Sequence, residues 1–170
     1  MPGPVTDPRA GELLSRYLET FGGPELPVPI ESIAEDLLGL RVDESDDLDC
    51  SGLLVPARRE IWVNAREAAE SAGRRRFTIA HELGHWICQM LEGHTAPIYC
   101  RAVEPTNGGN PPEEREANVF AAELLMSEPA VRDEFARADS VEAMAARFGV
   151  SAEALHWRLY NFGLLEEPPA

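Results

Sequence analysis

Residues 77–87 run Phe77-Thr-Ile-Ala-His81-Glu82-Leu-Gly-His85-Trp-Ile87, and the rest of the chain is organised around them. The apolar spacing predicts a helix from about Arg74 to Leu91, stopped by Gly93. On a helix, residues four apart differ by only about 40° in direction, so the imidazoles of His81 and His85 project from one face. Two ring nitrogens one turn apart can reach a single ion at roughly 2.0–2.1 Å. Glu82 lies about 100° round from His81, outside the inner shell but within reach of a water beside the ion. A carboxylate there can accept the water's proton and hand it to a departing amine. Gly84, lacking a side chain, would let another element approach closely. The plainer alternative is a packed helix with two hydrogen-bonded histidines, so a third ligand decides between them.

A catalytic zinc takes three protein groups and keeps one position open. The second strong helix, predicted from Pro112 or Glu113 to Met126, offers a carboxylate. With Glu114 as reference direction, Asn118, Ala121 and Leu125 point within about 40° of it, with Ala117 and Leu124 beside them. Glu114 therefore lies in an apolar stripe, where an unpaired carboxylate is costly and a metal removes the cost. Glu116 and Glu123 point the opposite way and are expected in solvent. A carboxylate in a first turn also favours the helix dipole with no metal involved, and that alternative stays open for Glu114. Asn118 could bond the outer nitrogen of a ligating histidine, or simply fill a helix turn.

Further out, Leu40–Val42, Gly52–Val55 and Ile61–Val63 are short β-prone runs. They predict a small antiparallel sheet, with a hairpin through Pro56-Ala57-Arg58-Arg59 and Asn64 capping the next segment. Two helices precede it, over Gly11–Phe21 and Ile30–Leu38. His94–Pro112 reads as a loop, and Pro129–Leu165 as three short helices. Met1–Pro8 and Glu166–Ala170 read as frayed ends. The order gives an α+β fold, with residues 1–126 as a core and residues 127–170 as a C-terminal helical lobe.

The 170 residues carry a formal net charge of −15, which repels phosphate backbones and disfavours direct nucleic-acid binding. Cys50, Cys88 and Cys100 are too few for a disulfide framework. With no secretory leader and no run long enough to span a bilayer, a cytoplasmic location is expected and no membrane partner.

Arg76-Phe-Thr-Ile-Ala-His-Glu-Leu-Gly-His85, followed by Glu114-Arg-Glu-Ala-Asn-Val-Phe-Ala-Ala-Glu-Leu-Leu-Met126, resembles the ImmA/IrrE family of zinc metallopeptidases. The upstream Val28-Pro-Ile-Glu-Ser-Ile-Ala34 run and the Gly52 to Asn64 hairpin match that layout too, so the likeness covers roughly Leu26 to Met126. Ser127 departs from the proline usual after the methionine, which touches a helix end and no ligand. The resemblance implies a zincin-like fold, similar in its core to thermolysin-like enzymes. It implies zinc held by His81, His85 and Glu114, with Glu82 as general base. It also implies a metalloendopeptidase that cleaves a regulatory protein such as a helix-turn-helix transcriptional repressor.

Other features compete for a role. Cys88 points within about 20° of His81 and could modulate the site, although such a cysteine is more often a buried core residue. His94 and Cys100 could edge a cleft. Val141–Leu159 resembles a helix-turn-helix, with Gly149 at the turn and Ser151 as a cap, but it carries too many acids for DNA and reads better as packing. Arg74-Arg75-Arg76 reads as a solvated face that could meet an acidic stretch of substrate. Two rival functions remain open: a zinc-fold module that binds a partner without turnover, and a DNA-binding regulator.

Overall fold

The computed structural model describes residues 6–89, 98–100 and 112–170, with the backbone alone for 98–100. His94, the Cys100 side chain and most of the predicted His94–Pro112 loop lie outside the described residues.

Helix α1 (Pro8–Phe21) begins on Asp7, whose carboxylate accepts the Arg9 amide at 3.0 Å. Pro8 occupies the helix start, where its missing N–H is no loss. The expectation of a frayed end through Pro8 is therefore corrected: Asp7 and Ala10 are buried. The predicted Ile30–Leu38 helix is a short turn, α2 (Ile30–Ser32), running into a wider π-helical turn over Ile33–Leu37. There the Leu38 amide reaches the Ile33 carbonyl at 3.1 Å. Ile33 and Ala34 are still buried, as the spacing requires.

Strands β1 (Arg41–Ser45), β2 (Gly52–Val55), β3 (Glu60–Asn64) and β4 (Ile98–Cys100) form one sheet in the order β1-β3-β2-β4. The β2–β3 hairpin is antiparallel as expected, but β1 runs parallel to β3, so the sheet is mixed rather than antiparallel. Arg59 accounts for the difference. It turns the chain at φ 53, and its guanidinium donates to the Leu38 and Gly39 carbonyls, while its own carbonyl accepts the Arg41 amide at 2.8 Å. The starts of β1 and β3 are thus tied together, and the strands leave in the same direction. A second correction concerns Ile98–Cys100, read as loop, which pairs antiparallel with the free edge of β2.

Asn64 caps α3 (Ala65–Glu70), its side-chain oxygen accepting the Arg66 and Glu67 amides at 3.0 and 3.2 Å. Helix α4 (Ala72–Gln89) then packs between β2 and β3 on one side and α5 (Pro112–Leu125) on the other. Covered from both sides, Thr78 to His85 is buried without a break, including the motif's three ionisable side chains.

The chain ends in three short helices as predicted, α6 (Glu128–Phe135), α7 (Val141–Phe148) and α8 (Ala152–Asn161). Gly149 turns at φ 66 and Ser151 accepts the Ala154 amide at 3.1 Å. Met144, Phe148, Leu155 and Leu159 belong to the same apolar cluster as Ile79 and Leu83 of α4.

Several charges expected at the surface are paired internally. Arg74 pairs with Glu67, Arg75 with Glu31 and Glu44, and Arg76 donates to the carbonyls of Gly149 (3.0 Å) and Val28 (2.6 Å). The basic run is therefore a structural clamp, not a solvated face. Glu123, expected in solvent, pairs with buried Arg158, which also donates to the Met126 carbonyl at 2.9 Å. Arg147 pairs with Glu134. Both arginines of the helix-turn-helix-like segment are thus paired with carboxylates. Among the described residues no helix is long and apolar enough to cross a membrane.

Candidate metal centre

The crossing of α4 and α5 sets the geometry. A Cβ on Gly84 would lie 2.9 Å from both the Cα and the carbonyl oxygen of Ala117, so the helices touch backbone to backbone here. Glu114 and Asn118 flank that contact on α5 and face the two histidines of α4. Glu114 Oε2 lies 3.1 Å from His81 Nε2, and Glu114 Oε1 lies 3.0 Å from His85 Nε2. The three residues form a group whose ligand atoms all lie within 4.8 Å of one another.

Both rings are oriented from behind. His81 Nδ1–H donates to Asn118 Oδ1 at 2.8 Å, and His85 Nδ1–H donates to Gln89 Oε1. Gln89 in turn donates to the Glu113 carbonyl at 3.4 Å, which fixes its amide. With a proton on each Nδ1, a neutral imidazole presents a bare lone pair at Nε2. Two such lone pairs and a carboxylate then converge in a largely buried space. This arrangement is repulsive unless protons or a cation lie between the three. A tetrahedral zinc with bonds of about 2.0–2.1 Å separates its ligand atoms by roughly 3.3 Å, close to the spacings seen. The donor set fits the ion. Protons on the rings are the other filling. Burial pushes the Glu114 carboxyl up, but hydrogen bonds from His81 and His85 and their charges outweigh it and hold its pKa at about 2. Glu114 is thus an anion at neutral pH, ready for a cation.

Gln89 was not found from the sequence, although it stands four residues beyond His85, the same spacing that relates the two histidines. Asn118 stands one turn after Glu114 on α5, against His81. Replacing it by alanine should lower zinc affinity by about 10–100-fold, since His81 would lose its orienting acceptor. Competition titration with a chelating dye measures this, and an unchanged affinity would show that the His81–Asn118 bond does not matter for binding.

Glu82 points elsewhere, toward the sheet. It is fully buried, and a Cβ on Gly52 of β2 would lie 2.8 Å from its Oε1 and 2.6 Å from Thr78 Cγ2. The strand comes this near only because residue 52 is glycine. Cys50 lies on the same side. Its thiol donates to the Gly52 carbonyl at 3.1 Å, and burial, followed by the Glu82 charge, pushes its pKa up. Cys88 stands apart from the three-residue group. Burial and a hydrogen bond with Glu116 push its thiol up to about 12, and Cys88 packs in the apolar core. Glu116 is held by Arg9 at 2.8 Å.

Two histidines on one helix, facing a carboxylate from a second helix, form a group that could hold a metal ion. The family model for the IrrE N-terminal-like domain (Peptidase_M78) matches residues 34–160, and the chain belongs to that family. The match runs through α8, farther into the C-terminal helices than the motifs alone reach. Among solved structures, a chain described as a Mycobacterium tuberculosis transcriptional regulator is similar in fold, with a TM-score of 0.61 and 18% identity. The likeness covers 91% of this chain but 47% of that one, so this chain spans about half of its length. No curated protein matches this sequence significantly.

Proposed function

We propose that this chain is a cytoplasmic zinc metalloendopeptidase of zincin-like architecture, with residues 1–126 as its peptidase core and residues 127–170 as a helical lobe. Its substrate in this reading is a regulatory protein, such as a helix-turn-helix transcriptional repressor. The observation that carries the proposal is the buried convergence of two imidazole nitrogens with the Glu114 carboxylate, each ring turned to face it by an amide behind. Family membership supports peptide-bond hydrolysis and a protein substrate.

In this reading His81, His85 and Glu114 hold the ion. Bound there, zinc polarises a carbonyl and lowers the pKa of water. The chain's own residues do the rest. Glu82 accepts a proton from the attacking water and returns it to the departing amine. Asn118 and Gln89 keep both imidazoles in the tautomer that leaves Nε2 free. The surrounding core, from Ile79 to Leu83, keeps bulk water from the back of the site.

Incubation of the zinc-loaded protein with purified helix-turn-helix repressors tests the proposal. One zinc per chain and a discrete repressor fragment by mass spectrometry are expected, with cleavage abolished by chelator and restored by zinc. Repressor captured without any fragment, and insensitive to chelator, would instead establish the non-catalytic binding module.

A further inference from the structure

Next to the metal centre lies a feature that holding an ion does not require. A cleft of about 880 Å³ runs between the first turns of α4, the later half of α5 and α8. Asn118, whose amide oxygen accepts from His81 Nδ1–H, is part of its lining, so the cleft reaches the back of the candidate metal centre. Phe77, one turn before His81 on α4, forms one wall, and Met126, Val150 and Trp157 form others. Trp157 is 44% exposed and meets Tyr160 edge-on at 6.0 Å, leaving an aromatic pair at the rim in water. Exposed aromatic surface lining a concave cleft marks a place where apolar groups are received.

The charges of the cleft are unequal. Of its ionised groups, Arg74 pairs with Glu67 and Arg158 with Glu123, whereas Glu153 has no ion pair among the described residues. The lining therefore offers apolar walls and one uncompensated carboxylate, on a chain whose net charge of −15 draws basic partners inward.

We propose that this cleft is the recognition groove for the protein substrate, taking a segment with apolar side chains for Phe77 and Trp157 and a lysine or arginine opposite Glu153. The proposal rests on the peptidase reading for the identity of the occupant, but groove binding does not depend on turnover. A second copy of this chain is a poorer occupant, because each copy would bring the same excess of negative charge to the other.

The test uses the full-length, zinc-loaded Glu82→Gln protein, which should hold a substrate without cutting it. The probes are fluorescein-labelled peptides of alternating Leu-Lys, Ser-Lys and Leu-Glu, read by fluorescence polarisation. Leu-Lys should bind at least about tenfold more tightly than either other peptide, and Trp157→Ala should remove about tenfold of that affinity. Glu153→Lys should weaken Leu-Lys binding several-fold, whereas Glu19→Lys, the same charge change at an exposed position on α1 outside the cleft, should not. Leu-Lys binding that ignores Trp157→Ala, or that responds alike to the two charge reversals, overturns the proposal. So does a dimer, seen by sedimentation, that Trp157→Ala dissolves, since the occupant would then be a second copy. Repressor cleavage by the unsubstituted protein is scored separately. Peptide preference without cleavage leaves the groove standing and removes the peptidase, and cleavage without peptide preference does the reverse.

Discussion

The Glu82→Gln protein should retain one zinc per chain and its full melting temperature while hydrolysing peptides about 10²–10⁴-fold more slowly, the range for loss of a general base. Glutamine copies the shape of glutamate, so the packing against Gly52 and Thr78 survives. His81 and His85 keep their own acceptors in Asn118 and Gln89, and the ligand set is untouched. What disappears is basicity, since an amide oxygen cannot take a proton from water at neutral pH. Stability gives an independent reading. Glu82 is fully buried, and a glutamine of the same shape keeps its packing. The variant should therefore melt no lower than the unsubstituted protein, which would mean that function and not folding calls for a carboxylate. Metal content by elemental analysis, thermal melts and peptide product by mass spectrometry check the three parts. Unchanged hydrolysis with zinc in place would rule Glu82 out as the base.

The central site was legible because it is built from helical periodicity. The four-residue spacing of His81 and His85 dictates a shared face, and the apolar stripe of the second helix singles out Glu114 over Glu116 and Glu123. Both inferences need only local geometry, and the structure brings the three side chains together. Gln89 obeys the same spacing, but an amide at the end of a helix carries no signal of its own until its partner is known. The parallel pairing of β1 with β3 was out of reach for a different reason. It depends on Arg59 clasping the Leu38 and Gly39 carbonyls, a contact between residues twenty and twenty-one apart that no hydrophobic pattern encodes. The arginine run misled in the same way. Arg74, Arg75 and Arg76 read as a solvated face because charge normally marks the surface, yet Arg75 and Arg76 meet partners from remote segments and Arg74 pairs with Glu67 on the preceding helix. Local periodicity thus placed the chemistry, while long-range pairing of polar groups decided how the surrounding elements lock around it.

Gly84→Ala should be destabilising, against what helix propensity alone dictates. In a helix interior alanine is favoured over glycine by roughly 0.5–1 kcal/mol, because glycine loses more backbone freedom on folding. At Gly11 in α1, where a Cβ would meet nothing within 4 Å, that preference should hold. Gly11→Ala should accordingly raise Tm by roughly 1–4 °C. At Gly84 the added carbon would sit 2.9 Å from the Cα and carbonyl oxygen of Ala117, and backbone atoms cannot rotate aside as a side chain can. The helices must part, at an overpacking cost of about 1–3 kcal/mol that exceeds the propensity gain. With about 2 kcal/mol lost, Tm falls by roughly 4–8 °C. The metal site should report the same displacement. Glu114 and Asn118 sit on either side of Ala117, so moving α5 outward draws both away from His81 and His85, and zinc affinity should fall together with Tm. A binding defect caused by general loosening would instead appear in any variant of equal Tm. A control is Leu155→Ala, a core change on α8 away from the Gly84–Ala117 contact, which costs about 2–5 kcal/mol by cavity formation. If Gly84→Ala binds zinc as the Leu155→Ala protein does, or melts higher than the unsubstituted chain, backbone contact at this crossing is not what aligns the carboxylate with the two rings.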